Sequence, residues 1–336
     1  MSQVETWRAA GHEAQLFLIS RDMKPWGPAA HAMGGIVSDA NKLSRAQNIA
    51  SFMRDIEGWA PHVVYARFGP QMTSLASLMR RIPTVLELNT DDVTEYRTYL
   101  PAYRYWYHRL RRRRILRRAA GLVCVTYEIA RRVESFQRPT TVVANGVDLD
   151  AYHPLPASAV GPPRLVFAGS PGAHWHGVDK IVDLARELPD VRIDLIGPSP
   201  EPGLPANVVA HGMLGRKDYE ALLARADVAI GTLAMHRNSM DEGSTLKVRE
   251  YLAFGLPCVI GYRDTDFPEP VPFILQLPNT IENAVRAADA IEKFCSSWRG
   301  RRVPRNEISH LDIRVKESRR LEFMTEVMTG NGGSSS

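Results

Sequence analysis

Cysteine is scarce in this chain: Cys124, Cys258 and Cys295 are the only three among 336 residues, odd in number and far apart. They can form neither a disulfide framework nor a CxxC metal knuckle, which points to a reducing, cytoplasmic setting. Long apolar runs are missing as well. No stretch of about 18 uncharged apolar residues occurs, so nothing reads as a membrane span. The first ten residues carry Glu5 and Arg8 without an apolar core, and no signal peptide is expected there. Charge of one sign is not in large excess. The 42 Lys+Arg against 37 Asp+Glu leave +5, weak ground for a nucleic-acid partner, and none is expected. The ten histidines form no HxH or HExxH pattern. Asp148 with Asp150 and Asp264 with Asp266 have Asp-x-Asp spacing but fall in predicted turns, so no metal site is expected. No GxGxxG follows a strand, which argues against a nicotinamide cofactor.

What is present is an ordinary globular composition, 44% hydrophobic and 24% charged, which excludes a disordered or collagen-like chain. At about 150 residues per domain the length fits two domains, each long enough for its own core. Short β-branched runs alternate with helical segments. In the first half strands are expected at 15–20, 63–67, 84–88, 122–126 and 141–144, with helices over 41–57, 71–80 and 104–120. In the second half the strands fall at 165–168, 191–196, 208–210, 228–232, 258–262 and 273–277, and the helices over 178–187, 217–225, 245–254 and 281–294. Near-continuous apolar strands in such an alternation predict an α/β protein with parallel sheets covered on both faces.

The expected organisation is a first domain over 1–152, a linker over 153–163 (HPLPASAVGPP), and a second domain over 164–300. A C-terminal helix within 301–328 returns toward the first domain, and a flexible tail spans 329–336. Both domains are expected to be Rossmann-like and doubly wound, facing a central cleft lined by the loops at the strands' C-terminal ends. A doubly wound domain normally opens with a strand, a glycine-rich turn and a helix. Here Gly11, His12 and Glu13 follow what reads as the end of a helix and lead into a strand, so the opening strand is expected to be missing.

The segment 241–260 (DEGSTLKVREYLAFGLPCVI) carries the most chemistry. Glu242 precedes a small-residue turn, Gly243, Ser244 and Thr245, and a helix follows until Gly255 and Pro257 stop it. Ser244 or Thr245 can cap this helix, whose free amides suit an anion, above all a diphosphate. Apolar residues cover most of its circumference, so it should be buried. Glu250 shares a stripe with Leu246, Ala253 and Phe254, where a carboxylate is costly unless specifically hydrogen-bonded. Two ribose hydroxyls would satisfy it; so would a basic neighbour such as Lys247 or Arg249.

Glu242 and Glu250 are separated by seven residues, and Tyr251, Leu252, Ala253, Phe254, Gly255, Leu256 and Pro257 follow. This resembles the E-x7-E signature, with its trailing E-x-x-A-x-G-x-P, of the GT-B retaining glycosyltransferase family 4. Asn145, Gly146, Val147 and Asp148 are similar to the family's N-G-V-D segment, and Gly11, His12, Glu13 and Ala14 to its GHE entry. The strand at 165–169 with Gly177, Val178 and Asp179, then 193–197, 209–212, Ala226, Asp227 and Val228, agree in order and spacing. The resemblance covers about residues 5–295 and implies a GT-B fold and a nucleotide-sugar donor, UDP- or GDP-linked. It also implies anomeric retention without a protein nucleophile, because the departing phosphate takes the acceptor's proton. No metal is needed, since a helix N-terminus faces the diphosphate.

By position, the resemblance places Glu242 on hydroxyls of the donor sugar and Glu250 on the ribose. The amides of Gly243, Ser244 and Thr245 meet the sugar or diphosphate, and the loop from Ser170 to Gly177 lies against the diphosphate. Gly197 and Pro198 end a strand by the base, with Met213 or Leu214 touching it. Two departures stand out. The family's Arg after the first donor-domain strand and its Lys before Gly-Val-Asp are replaced by Ser170 and His176. Their absence costs several kcal/mol of charge stabilisation at the leaving group unless replaced. A protonated His176 is one substitute, and Lys180, Lys247 and Arg249 are others; His176 and His174 also read as plain loop residues. Where the family often has a His near the reacting sugar, this chain has Asn89. Glu87, Asp91 and Glu95 are then candidates to orient an acceptor hydroxyl, while Asp91 and Asp92 read equally as a turn and helix start.

The stretch from Tyr103 to Arg118 holds eight arginines, from Arg104 to Arg118, with three tyrosines and a tryptophan and without an acid. It can lie on an anionic membrane, bind RNA phosphates, or be a solvated helix. The first suits a transferase working on a lipid-linked or polysaccharide acceptor at the inner membrane face. The leading expectation is therefore a peripheral, cytoplasmic hexosyltransferase. The alternatives are a catalytically weak GT-B protein that binds nucleotide or a partner, and a sugar-nucleotide epimerase of the same architecture.

Overall fold

The computed structural model describes residues 3–20, 33–38, 45–69, 76–157 and 159–330. They form two compact units, Met1–Val143 with Ile313–Ser336, and Ala144–Asp312.

Unit 1 begins with α1 (Gln3–Ala9), β1 (Leu16–Ser20), β2 (Met33–Ser38) and α2 (Arg45–Trp59). It continues through β3 (Val64–Arg67), β4 (Thr84–Leu88), α3 (Asp92–Tyr99), α4 (Ala102–Arg118), β5 (Gly121–Cys124), α5 (Tyr127–Val133) and β6 (Thr140–Val142). The strands β3, β4, β5 and β6 form one parallel sheet in that order, and β1 pairs in parallel with β2. Val85, Leu86, Leu122, Val123 and Cys124 are fully buried, as the continuous apolar runs require of a sheet covered on both faces. Thr126 starts α5 by accepting the Ile129 amide at 3.1 Å, and Asp91 starts α3 by accepting the Val93 amide at 3.3 Å.

Unit 2 runs through β7 (Arg164–Ala168), α6 (Val178–Glu187), β8 (Arg192–Ile196), β9 (Val208–Ala210), α7 (Arg216–Arg225), β10 (Val228–Ile230) and β11 (Glu242–Gly243). Then come α8 (Leu246–Ala253), β12 (Cys258–Ile260), β13 (Arg263–Asp264), β14 (Ile274–Gln276), α9 (Asn283–Arg286) and α10 (Ala288–Trp298). Its six-stranded parallel sheet has the order β14-β12-β10-β7-β8-β9. The chain winds outward from β7 in one direction and from β10 in the other. The crevice beyond the C-terminal ends of these two strands is the place where such sheets take ligands. The last helix, α11 (Ile313–Thr329), belongs to unit 1. There Phe323 and Met324 pack on Val85, Val123 and Val143.

The strands fall within two residues of their expected bounds, with β2 and the two-residue β11 and β13 unforeseen. Helix 281–294 divides into α9 and α10, broken at Ala287. Of the helix expected over 71–80, the described part is only a 3-10 turn, Leu78–Arg80; residues 71–75, like 41–44 of the preceding helix and 331–336 of the tail, lie outside the described residues. The domain division also differs from the expected linker. The chain leaves unit 1 after Val143, and by Val147 it is already bridged to Asp312, with the Val147 amide donating to Leu311 at 3.0 Å. The proline-rich stretch 153–163 therefore belongs to unit 2: the Leu155 amide donates to Phe254 at 2.9 Å, and the Arg302 guanidinium donates to the carbonyls of Leu155 and Pro156.

Candidate active site

The crevice at the end of β7 is tightly built. Gly197, at the end of β8, has φ +103°, and a Cβ there would sit 1.8 Å from the Gly169 carbonyl oxygen. Gly169 itself leaves no room either, since a Cβ would meet the rings of His176 and Phe167 at 2.7 Å. These glycines let the turns after β7 and β8 lie against each other. Tyr251 fixes α8 beside them, its hydroxyl accepting the Ala168 amide at 2.7 Å. The N-terminus of α8 begins at Thr245, whose side chain does not cap it. The Thr245 hydroxyl instead pairs with Tyr262 at 2.7 Å. The Ser244 hydroxyl is also taken, accepting the Asn145 amide at 2.8 Å and Arg249 at 3.1 Å. Neither hydroxyl caps the helix, contrary to expectation.

Glu242 is buried in β11, with Arg263 at 3.6 Å. Gly243 is required beside it, because a Cβ would strike Met235 and Tyr262 at 2.9 Å.

Two cations expected near the diphosphate are employed elsewhere. Arg249 is fully buried and holds Asp264 through two bonds of 2.7 Å and Asp266 at 2.9 Å. Burial disfavours its charge, but Asp264 more than offsets this and raises its pKa. Lys180 donates to the carbonyls of Leu233 at 2.9 Å and Thr280 at 2.6 Å, and to Asn283 at 3.0 Å. Both are struts of the fold.

Lys247 differs from both. Its Nζ is buried, has no hydrogen-bond partner, and rests 4.4 Å from the centre of the Phe167 ring. Burial without a carboxylate brings its pKa down to about 7. His176 packs edge-on against the same ring, 5.5 Å between centroids, and its buried Nδ1 also lacks a partner. Burial first, then the nearby Lys247 charge, brings His176 down to about 4. The expected protonated His176 is thus corrected: near pH 7 the imidazole is neutral. Ser170, in the loop between them and the strand end, is exposed.

Glu250 does not pair with Lys247 or Arg249. Its Oε2 accepts the Tyr219 hydroxyl at 3.0 Å, and Tyr152 also hydrogen-bonds to it. Burial raises its pKa, while the two phenols and Arg216 pull the other way. A hollow of about 410 Å³ opens beside Pro198, between α6 and the loop after β8, but neither glutamate nor Lys247 nor His176 lines it. Met213 is exposed and Leu214 half-buried.

In unit 1, Asn89 follows β4 with its Oδ1 buried and unpartnered. Two acids expected beside it are corrected. Asp91 caps α3, accepts Thr94, and pairs with Arg132. Glu87 lies 3.4 Å from Arg320, which is itself bound to Glu317 at 2.7 Å and Tyr65 at 3.1 Å. Neither is disposed to orient a hydroxyl. Glu95 lies half-buried in the first turn of α3. Asp92 is buried against His108 at 2.5 Å and Arg112 at 2.8 Å.

Sequence reasoning missed Asn145, Tyr152, Tyr219 and the pair Asp264 and Asp266 as parts of the site. A buried arginine in an apolar helix was the one available signal for the aspartates, since such a charge requires acids nearby. Nothing local announces the tyrosines. Among the described residues no group of three His, Cys, Asp or Glu side chains could hold a metal ion, and no helix is long and apolar enough to cross a membrane.

Residues 2–151 match the model of Glycosyltransferase Family 4. No curated protein matches in sequence. Among solved structures, the chain is similar to sucrose-phosphate synthase from Thermosynechococcus elongatus, with TM-score 0.71 and 14% identity over 98% of this chain and 92% of that one. It is similar to HepE of Anabaena in complex with UDP-glucose, with TM-score 0.63 and 14% identity over 93% and 99%. It also resembles the lipopolysaccharide outer core galactosyltransferase WaaB, with TM-score 0.64 and 11% identity over 98% and 95%. These structures carry the fold, GT-B, and residues 2–151 of the chain match glycosyltransferase family 4.

Proposed function

We propose that this enzyme moves a hexose from a UDP- or GDP-linked donor, with retention, to a hydroxyl of a lipid-linked or polysaccharide acceptor. The observation that carries the donor reading is Lys247, a buried amine without a counter-charge, set at the start of α8 beside the end of β7. A phosphate would supply the missing negative charge, and the uncapped amides of the same helix turn add to it. Glu250 already accepts hydroxyl hydrogens from two phenols, the chemistry it would offer to a ribose. Glu242 would take hydroxyls of the sugar, while Asn89 in unit 1 has a buried oxygen in want of a donor. HepE has been solved with UDP, with UDP-glucose, and with UDP and glucose, which supports a nucleotide-sugar donor of this kind.

No divalent cation enters this reading, because Lys247 and the α8 amides oppose the leaving charge; turnover should persist in excess EDTA. On the acceptor side, α4 presents Tyr103, Trp106, Tyr107 and Leu110 to solvent at i, i+3, i+4 and i+7, all exposed, amid exposed arginines. An apolar stripe flanked by cations suits the headgroup layer of an anionic bilayer, each basic residue near the surface adding about 1 kcal/mol. Trp106→Ser with Leu110→Ser should weaken sedimentation with anionic vesicles roughly tenfold or more. Unchanged binding would remove the membrane from the reading.

The decisive experiment is a thermal-shift screen against nucleotide sugars, followed by transfer assays on Glu242→Ala and Glu250→Ala. Stabilisation by one donor, with transfer lost in both variants, supports the reading. Full transfer in either variant refutes its assignment. A second reading, donor binding with feeble turnover, is favoured by one observation: Lys180 is held by Leu233, Thr280 and Asn283, leaving Lys247 where the family places two cations. Stabilisation by a donor without transfer to any acceptor would select it.

A further inference from the structure

We propose that donor binding is coupled to the uptake of one proton from solvent by Lys247, so that this amine carries its charge only while a diphosphate lies against it. The inference rests on the donor site assigned above and adds to it how the site's charge is regulated.

The geometry supports it from three sides. The Nζ is enclosed, with the Phe167 ring at 4.4 Å and no hydrogen-bond acceptor in reach. Among the described residues no carboxylate forms an ion pair with it. The titratable and charged groups around it are disposed so as not to hold a proton there. His176, on the turn after β7, shares the Phe167 ring and repels a charge on Lys247 when protonated. On α8 itself, Arg249 is fully committed to Asp264 and Asp266, and Glu250 to Tyr219 and Tyr152. Glu242 on β11 has Arg263 at 3.6 Å. An isolated buried ammonium is expensive, and the group sheds its proton instead. Accordingly the amine titrates at about 7. A diphosphate brought within contact reverses the balance: Nζ accepts a proton from water or buffer, becomes an ammonium, and donates to the phosphate oxygens. When the nucleoside diphosphate leaves, the proton returns to solvent. The neutral His176, with its unpartnered Nδ1, stays uncharged through the cycle.

The coupling has a defined sign. Below pH 7 the amine is already charged and binding takes up little; above it, each molecule bound takes up a proton. From a pKa of about 7, the uptake should be about 0.9 proton at pH 8 and about 0.1 at pH 6. Affinity should weaken by up to about tenfold per pH unit above 7 until the pKa of the complex is reached.

The test is titration calorimetry of the full chain with UDP-glucose and GDP-mannose, in pairs of buffers with different ionisation enthalpies. Neither probe has a group that titrates between pH 6 and 8.5, so any uptake belongs to the protein. Uptake that rises from pH 6 to pH 8 and disappears in Lys247→Met supports the proposal. Lys247→Arg, charged at every pH, should bind with no uptake and a flat pH profile. Binding without uptake at pH 8 overturns the coupling and leaves the donor reading in place. Uptake that stays near one proton at pH 6, or survives in Lys247→Met, assigns it to His176 and overturns the choice of Lys247. Failure of both probes to bind refutes the donor reading and the coupling with it.

Discussion

Replacing Arg249 by methionine tests whether the E-x7-E helix is held by a buried ionic strut or whether its arginine serves the ligand. The guanidinium has no exposed surface and makes three bonds of 2.7 to 2.9 Å to Asp264 and Asp266, with further bonds to the Asn145 carbonyl at 3.2 Å and the Ser244 hydroxyl at 3.1 Å. Methionine fills much of the volume but strands two nearly buried carboxylates. Removing one partner of a buried pair costs about 3–5 kcal/mol. For a unit of this size each kcal/mol lowers the midpoint by about 2–4 °C, so the unfolding transition should fall by roughly 10 °C. Differential scanning calorimetry measures it directly. The added variant Arg249→Met with Asp264→Asn should recover part of the loss, since one stranded charge is gone. A midpoint within a degree or two of the parent, with donor binding abolished, would show that this arginine is a ligand, and the strut argument would be wrong.

Gly197→Ala should be among the most damaging single changes in unit 2. The new Cβ would lie 1.8 Å from the Gly169 carbonyl, at a φ of +103° that non-glycine residues avoid, so a fall in soluble yield or a midpoint drop of at least 10 °C is expected. In unit 1, Asp92→Asn should cost about 3–5 kcal/mol at pH 7 by leaving Arg112 without its buried carboxylate. Burial opposes the Asp92 charge, but His108 and Arg112 outweigh it and lower the pKa. The stabilisation is therefore present above the unfolded-state value of about 3.9 and is lost as pH falls through the lower folded value, so urea midpoints of variant and parent should converge below about pH 4. A gap that is constant down to pH 2.5 would contradict this.

How far the chain could be read without coordinates follows from where each signal resides. Parallel strands buried on both faces must be apolar along their length, so β4 and β9 appear at their observed bounds and the β7 to β10 alternation nearly so. The two-residue β11 and β13 are too short to leave a pattern. The unit boundary was misplaced because a run of prolines looks like a linker, whereas the actual passage at Val143 is an apolar strand end, and only Val147 meeting Asp312 marks it. Within the site, the two glutamates stand out through the resemblance to the E-x7-E signature, since Glu242 lies in β11, outside the helix α8 that carries Glu250. Spacing could not sort the cations. Lys180, Lys247 and Arg249 were equivalent as letters, and what separates them is the partner each one finds: three carbonyl oxygens from distant segments, nothing, and two aspartates a turn beyond the next strand. Of the three, only the one the fold leaves unsatisfied has free energy to gain from a ligand. The same logic separates Asn89, whose oxygen is buried and unpartnered, from Asp91 and Glu87, whose charges are already spent on Arg132 and Arg320. On the proposed reading, a binding residue is recognised by what the folded structure fails to give it.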